Sequence, residues 1–142
     1  IHALSFDDAW TGVMIRRILA MPGAHGIVAR HERKQTVSGF ALLRQAADEC
    51  EVLSLAVSPD LRGDGVGGFL LDGAMEYASV AGAIKLFLEV AEDNDVARRL
   101  YEGRGLAPVG RRPDYYTRKD GTTAAALTMS CPLEAQAVRA PG

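Results

Sequence analysis

The sequence predicts an α/β domain in which a mixed β-sheet carries helices packed against it. Three observations predict it. Short apolar, β-branched runs alternate with segments whose apolar residues recur every three or four positions. The first two strand-like runs flank a short charged turn and read as a hairpin. Two strand–helix units follow, an order that lays helices against a sheet. The predicted sequence of elements is helix, helix, strand, strand, strand, helix, strand, helix, strand, strand.

Residues 1–6 read as the tail of a helix that Asp7 and Asp8 break. Asp8 or Thr11 caps the next helix, over residues 10–21, with Val13, Ile18 and Met21 on its apolar side and Pro22-Gly23 as its stop. Residues 26–31 (GIVARH) and 36–45 (TVSGFALLRQ) form the hairpin around ERKQ. In the third strand, ECEVLSLAV over 49–57, simple alternation puts Leu53, Leu55 and Val57 on one face and Val52, Ser54 and Ala56 on the other. Ser58-Pro59 ends it. The segment LRGDGVGG then opens a helix with Val66, Phe69, Leu70, Ala74, Tyr77 and Ala78 at three-and-four spacing, closed by Gly82. IKLFLEV, residues 84–90, is a strong strand. Asp93 or Asn94 caps a helix with Ala97, Leu100 and Tyr101 on one side, closed by Gly103 and Gly105. The last strands are expected over 107–111 and 122–129, with the polar stretch RPDYYTRKDG as a loop between them. No repeat or linker interrupts the pattern, so residues 1–142 read as a single domain.

The chain has 142 residues, 48% hydrophobic and 24% charged, with net charge -2 and a pI near 5.9. That balance suits one globular core and lacks the basic excess of a nucleic-acid binder. No apolar run reaches membrane-spanning length and no signal peptide opens the chain. Cys50 and Cys131 have no metal-ligand spacing and no accompanying His/Asp arrangement, so neither a metal site nor an acyl-cysteine route is expected. The expected setting is the reducing cytoplasm, with no nucleic-acid or membrane partner. His2, His25 and His31 read as incidental.

The chemistry-bearing feature is Arg62-Gly63-Asp64-Gly65-Val66-Gly67-Gly68, between a strand and a helix. Backbone without Cβ can approach a phosphate closely, and the N–H groups and dipole at a helix start favour an anion. The loop also fits G-x-G-x-x-G, with Glu89 ending a later strand. A dinucleotide-binding loop leaves its strand directly, however, whereas Ser58 to Arg62 intervene here, and too little chain follows for such a domain.

Arg62-x-x-Gly65-x-Gly67 resembles the acetyl-CoA pyrophosphate motif of the GNAT superfamily of N-acetyltransferases. The stretches LSLAVSPDLRGDGVGGFLL, FLEVAEDNDVARRLYEGRGL and GRRPDYY, together spanning roughly residues 48–116, are similar to the bacterial ribosomal-protein alanine N-acetyltransferases, the RimI group. The resemblance implies the GNAT fold: a mixed, mostly antiparallel central sheet with helices on both faces. It also implies a first strand that the chain lacks before its first helix. The implied activity is transfer of acetyl from acetyl-CoA, with coenzyme A as product, to a protein N-terminus. The alternatives are a small-molecule amine or lysine acceptor, or an acetyl-CoA-binding module without turnover. A monomer or weak homodimer is expected.

Carried over residue by residue, the resemblance puts the pantetheine arm beside the backbone of Leu55, Ala56 and Val57. It puts the pyrophosphate on Arg62, Gly63, Asp64, Gly65, Val66, Gly67 and Gly68. Asn94 matches the asparagine that contacts the cofactor arm, and it serves equally as a helix cap. Glu89 matches the general base, since an amine attacks only when neutral; its other reading is a strand-end surface glutamate. Tyr101 matches the general acid that protonates the leaving thiolate; its other reading is a core tyrosine. Both present together argue against a module without turnover. Glu49 and Glu51 are rival bases on the preceding strand. Tyr115 and Tyr116 either line the acceptor groove or brace their loop. The chain departs from the family in carrying Gly63, Asp64 and Gly68 where basic residues are usual, Ala91 for an arginine, Leu106 for a phenylalanine, and Ala125 and Ala126 near a usual acid.

Overall fold

The computed structural model describes residues 12–30, 37–59 and 62–134. Three helices and six strands follow in the order α1 (Gly12–Leu19), β1 (Ala24–Arg30), β2 (Val37–Ala46), β3 (Glu49–Val57), α2 (Val66–Val80), β4 (Lys85–Ala91), α3 (Asp95–Glu102), β5 (Ala107–Thr117) and β6 (Thr123–Pro132). From the second expected helix onward this is the expected order. The expected helix over 1–6, the ERKQ turn, His2, His31 and the Val13 side chain lie outside the described residues.

The strands form one sheet in the order β1-β2-β3-β4-β6-β5. Short connections make β1–β2, β2–β3 and β5–β6 antiparallel neighbours, and β4–β6 is antiparallel as well. Only β3 and β4 run parallel among the described residues. A parallel pair needs a long crossover, and α2 supplies it.

Helices cover both faces. One face buries Leu43, Cys50, Val52, Leu55, Leu86, Leu88 and Val90 beneath Leu70, Leu71, Ala74 and Ala78 of α2 and Ala97 and Tyr101 of α3. On the other face Leu19 of α1 lies close to Gly26 and Leu42. Burial alternates strictly along β4, so Leu86, Leu88 and Val90 point into the core, and Phe87 and Glu89 point to the opposite face.

Three expectations need correction. In β3 the alternation changes phase. The β2 register moves from Leu43↔Val52 to Leu42↔Ser54, leaving Leu53 as a bulge. Val52 and Leu55 therefore share the core face, which simple alternation forbids. In α2, Phe69 is 65% exposed, while Leu71 is fully buried. Phe69 belongs to the solvent stripe of Asp72, Glu76 and Val80. The polar stretch after Arg111 is strand up to Thr117 rather than loop. Its register against β6 jumps between Arg112 and Tyr116, where Pro113, which has no N–H to give, and Asp114, at φ 53, interrupt the ladder.

Cys50 and Cys131 are both buried thiols. Each pairs with Leu86 from opposite sides, which keeps them two strand spacings apart, too far to bridge.

Candidate active site

The parallel pairing of β3 with β4 covers only Glu49↔Lys85 to Val52↔Leu88. Beyond it β3 stays with β2 as far as Val57, and β4 stays with β6 as far as Ala91. The sheet opens between them, starting at the Leu53 bulge. Backbone N–H and C=O groups of residues 53–57 that face away from β2 have no strand opposite them, so an extended ligand can pair there. Leu55 and Ala56 are buried and Val57 is half-buried, so what this segment offers to the gap is its backbone.

The glycine loop lies at the end of β3. Gly63 and Gly65 have φ of 89° and 81°, and a Cβ at either would meet open space. Gly65 caps α2 with no side-chain hydrogen bond, and the first helical bond is Phe69 N–H to the Gly65 carbonyl at 3.0 Å. The first-turn N–H groups of Val66, Gly67 and Gly68 therefore have no helical acceptor. A Cβ at Gly67 would come within 3.2 Å of Leu100 Cδ2, a close contact with helix α3. Unpaired donors, a helix start and open space suit a phosphate. Arg62 and Asp64 are exposed at its rim.

Titratable groups lie near the end of β4 on the face away from the core, and Tyr101 is buried on the core side. Glu89 is half-buried on the face away from α2 and α3. The Tyr116 hydroxyl donates to Glu89 Oε1 at 3.5 Å. Burial, then the Glu89 charge, pushes the Tyr116 phenol well above its ordinary value, and Tyr101 adds to the effect from the other face. Tyr101 is 3% exposed and burial raises its pKa to about 12. Asn94 caps α3, its Oδ1 accepting from Ala97 N–H at 3.2 Å. Tyr115 is 48% exposed, set edge-on to Tyr116 with ring centroids 5.2 Å apart, with the Arg112 guanidinium 5.4 Å from its own centroid.

Of the rival glutamates, Glu49 is exposed and lies 3.7 Å from Lys85 Nζ, at the closed end of the β3–β4 pair. Glu51 is nearer the gap. Burial, with Glu89 adding to it, holds its carboxyl above the ordinary value, and Arg44 opposes. Among the described residues no group of His, Cys, Asp and Glu side chains could hold a metal. No described helix is long and apolar enough to cross a membrane.

The profile of the Acetyltransferase (GNAT) family matches residues 1–106. The chain belongs to the GNAT acetyltransferases. It is 37% identical to the N-alpha-acetyltransferase RimI of Mycobacterium tuberculosis, over 78% of this chain and 69% of the relative. The crystal structure of the ribosomal-protein-S18-alanine N-acetyltransferase from Escherichia coli superposes with a TM-score of 0.80 at 25% identity, covering 94% of this chain and 83% of that one. Nourseothricin acetyltransferase superposes with a TM-score of 0.70 at 32% identity, over 78% of this chain and 66% of that one. The chain is thus an N-acetyltransferase with the GNAT fold, and the opening between its parallel strands is the candidate active site of such an enzyme.

Sequence reading missed three features around this opening. Ser54, beside the bulge, is 1% exposed and its Oγ has no hydrogen-bond partner; it is the one polar residue inside LSLAV. Glu92 takes both ends of the Arg111 fork and Asp93 pairs with Arg118, tying the turn after β4 to β5 and to the β5–β6 turn. Arg104 lies over Gly68. The last two join residues 19 or more apart, which local patterns do not reveal.

Proposed function

We propose that this protein is a single acetyltransferase domain that moves acetyl from acetyl-CoA onto the α-amine of a protein N-terminus beginning with a small residue such as alanine. The observation that carries the reading is the opening between β3 and β4, with Glu89 and Tyr116 in contact on one face. Acetyl-CoA supplies the activated acyl group and a thiolate leaving group. Its pyrophosphate rests on the N–H groups of residues 63–68, with Arg62 beside them. Its pantetheine arm pairs with the backbone of Leu55, Ala56 and Val57, and Asn94 gives its side-chain amide nitrogen to the arm while its oxygen caps α3.

Glu89 takes the proton from the attacking amine. Tyr101 gives its proton to the leaving sulfur, a role that suits a phenol still protonated far above neutral pH. Tyr116 orients the Glu89 carboxylate, and Tyr115 lines the acceptor side. A free N-terminus has a pKa near ~8 against ~10.4 for lysine, which eases its deprotonation. Likeness to the ribosomal-protein-S18-alanine enzyme supports the peptide acceptor, and likeness to nourseothricin acetyltransferase supports a small amine as the second reading.

The test is a competition between a short alanine-starting peptide and the same peptide with a blocked N-terminus and an internal lysine, with a small polyamine as third acceptor. Preferred acetylation of the free N-terminus is expected. Equal or faster acetylation of the blocked peptide or the polyamine moves the protein to the lysine or small-amine branch.

A further inference from the structure

The glycine loop carries no side chain at position 68, yet the guanidinium of a distant residue occupies that place. A Cβ built on Gly68 would lie 2.2 Å from Arg104 Nη2, 2.8 Å from its Cζ and 3.3 Å from its Nη1. Arg104 stands in the turn after α3, 36 residues away in sequence, and its side chain lies against the first turn of α2. Gly68 is buried for this reason, although it sits at an exposed helix start.

Asp72, one helical turn on, holds the fork in place: Arg104 Nε donates to Oδ1 at 3.1 Å and Nη2 to Oδ2 at 3.5 Å. A guanidinium has five N–H donors, so two bonds to Asp72 leave the Nη1 edge and one Nη2 proton uncommitted. The guanidinium lies against Gly68, whose N–H is one of the helix-start donors that has no helical acceptor. A fixed fork next to a row of backbone donors is the arrangement that holds a phosphate oxygen most firmly.

We propose that Arg104 is a phosphate-binding residue of this enzyme, contacting the pyrophosphate of coenzyme A from the α3–β5 turn at the place a side chain on residue 68 would take. The Gly68 and Arg104 choices then depend on each other: a side chain at 68 would evict the guanidinium.

The inference rests on the glycine loop being the pyrophosphate site, and the experiment separates the two. Affinities for coenzyme A and 3′-dephospho-coenzyme A are measured by calorimetry for the parent chain, Arg104→Leu, the double variant Gly68→Arg/Arg104→Leu, and Gly67→Val as a loop control. Melting curves verify folding. Arg104→Leu is expected to bind both ligands about tenfold more weakly, the scale of one charge-assisted hydrogen bond, with a shallower dependence on salt. The double variant, with its charge moved into the loop, is expected to recover most of the loss. Parent-like affinity of Arg104→Leu beside a Gly67→Val variant that no longer binds would overturn the proposal and leave the loop reading intact. A double variant no tighter than Arg104→Leu would overturn it too. A loss confined to coenzyme A would move Arg104 to the 3′-phosphate and refute the pyrophosphate contact. Full binding by Gly67→Val would refute the loop reading itself.

Discussion

Replacing Tyr101 with phenylalanine removes one hydroxyl and leaves a ring of the same shape. The ring is 3% exposed, within a core cluster that includes Ala97, Leu106 and Val90, so the packing term is conserved. What changes is the proton. Burial raises the phenol to about 12, so the group stays fully protonated wherever the enzyme works. Loss of a positioned acid costs 10²–10⁴-fold, and we expect kcat to fall by roughly 10²-fold, about 2.7 kcal/mol of barrier. Affinity for acetyl-CoA should stay within about twofold, because the missing group acts on the leaving sulfur rather than on the bound ground state. Steady-state release of free coenzyme A thiol measures the first quantity and calorimetry the second. Tyr116→Phe is the control. Its 3.5 Å contact with Glu89 is at the limit of hydrogen bonding, so the loss should be only several-fold.

The same substitution carries a pH signature. An unfolded tyrosine loses its proton near 10, whereas folded Tyr101 keeps it to about 12. The native state binds more protons across that window, so stability falls as pH rises through it. Below pH ~10 nothing is lost on this account. The phenylalanine variant lacks this source of alkaline destabilisation, and its melting point should decline less steeply between pH 10 and 12. A wild-type kcat in Tyr101→Phe would refute the acid role and leave Tyr101 as a core residue. A larger loss in Tyr116→Phe would assign the acid to Tyr116.

Two further substitutions test the geometry. Glu89→Gln should lower kcat by roughly 10²-fold or more, the usual scale for a general base, and Glu49→Gln far less, because Glu49 sits beside Lys85 at the closed end of the strand pair; the reverse ranking in a steady-state comparison would move the base to β3. Gly39→Ala would press a Cβ to 2.6 Å from the Ala56 carbonyl oxygen and 2.9 Å from Leu70 Cδ1, so we expect a loss of about 1–3 kcal/mol in denaturant unfolding, and an unchanged midpoint would mean that β2 and β3 yield freely at the edge of the gap.

Elements that carry their own pattern were legible in the sequence. Helix α3 announces itself through Asn94, whose side chain caps it, and through Ala97 and Tyr101 one turn apart on its buried side. Strand β4 carries the apolar run Leu86-Phe87-Leu88 ahead of Glu89-Val90. What failed depended on partners. The Leu53 bulge comes from the β2 register, and nothing in ECEVLSLAV marks where the extra residue falls. The stretch from Arg112 to Thr117 shows no alternation because β5 is an edge strand with nearly every residue exposed, and only the β6 ladder makes it a strand. Phe69 resembles a core residue in composition, and the side of α2 that meets the sheet decides otherwise. Among candidate site residues, the glycine loop and Glu89 are motif-borne, whereas Arg104, Ser54 and the Glu92–Arg111 pair join the region only through tertiary contact.

The position of the gap follows from the chain path. β3 and β4 run parallel, so their carboxyl ends lie at the same edge of the sheet. Each is followed by a helix, α2 after β3 and α3 after β4, so both helix starts return to that edge. In open sheets of this kind ligands bind outside the carboxyl ends of strands, where the order of connections leaves a crevice. Here the neighbour of β4 on its far side, β6, arrives antiparallel, and β2 holds β3 antiparallel on the other. Each member of the parallel pair is thus anchored by an outer strand and free to leave its partner after four residue pairs. The crevice that results has unpaired backbone along one wall, Glu89 at the other, and the starts of two helices at its mouth. Gly65 caps one start without a side chain and Asn94 caps the other with only its oxygen, so donors remain at both helix starts.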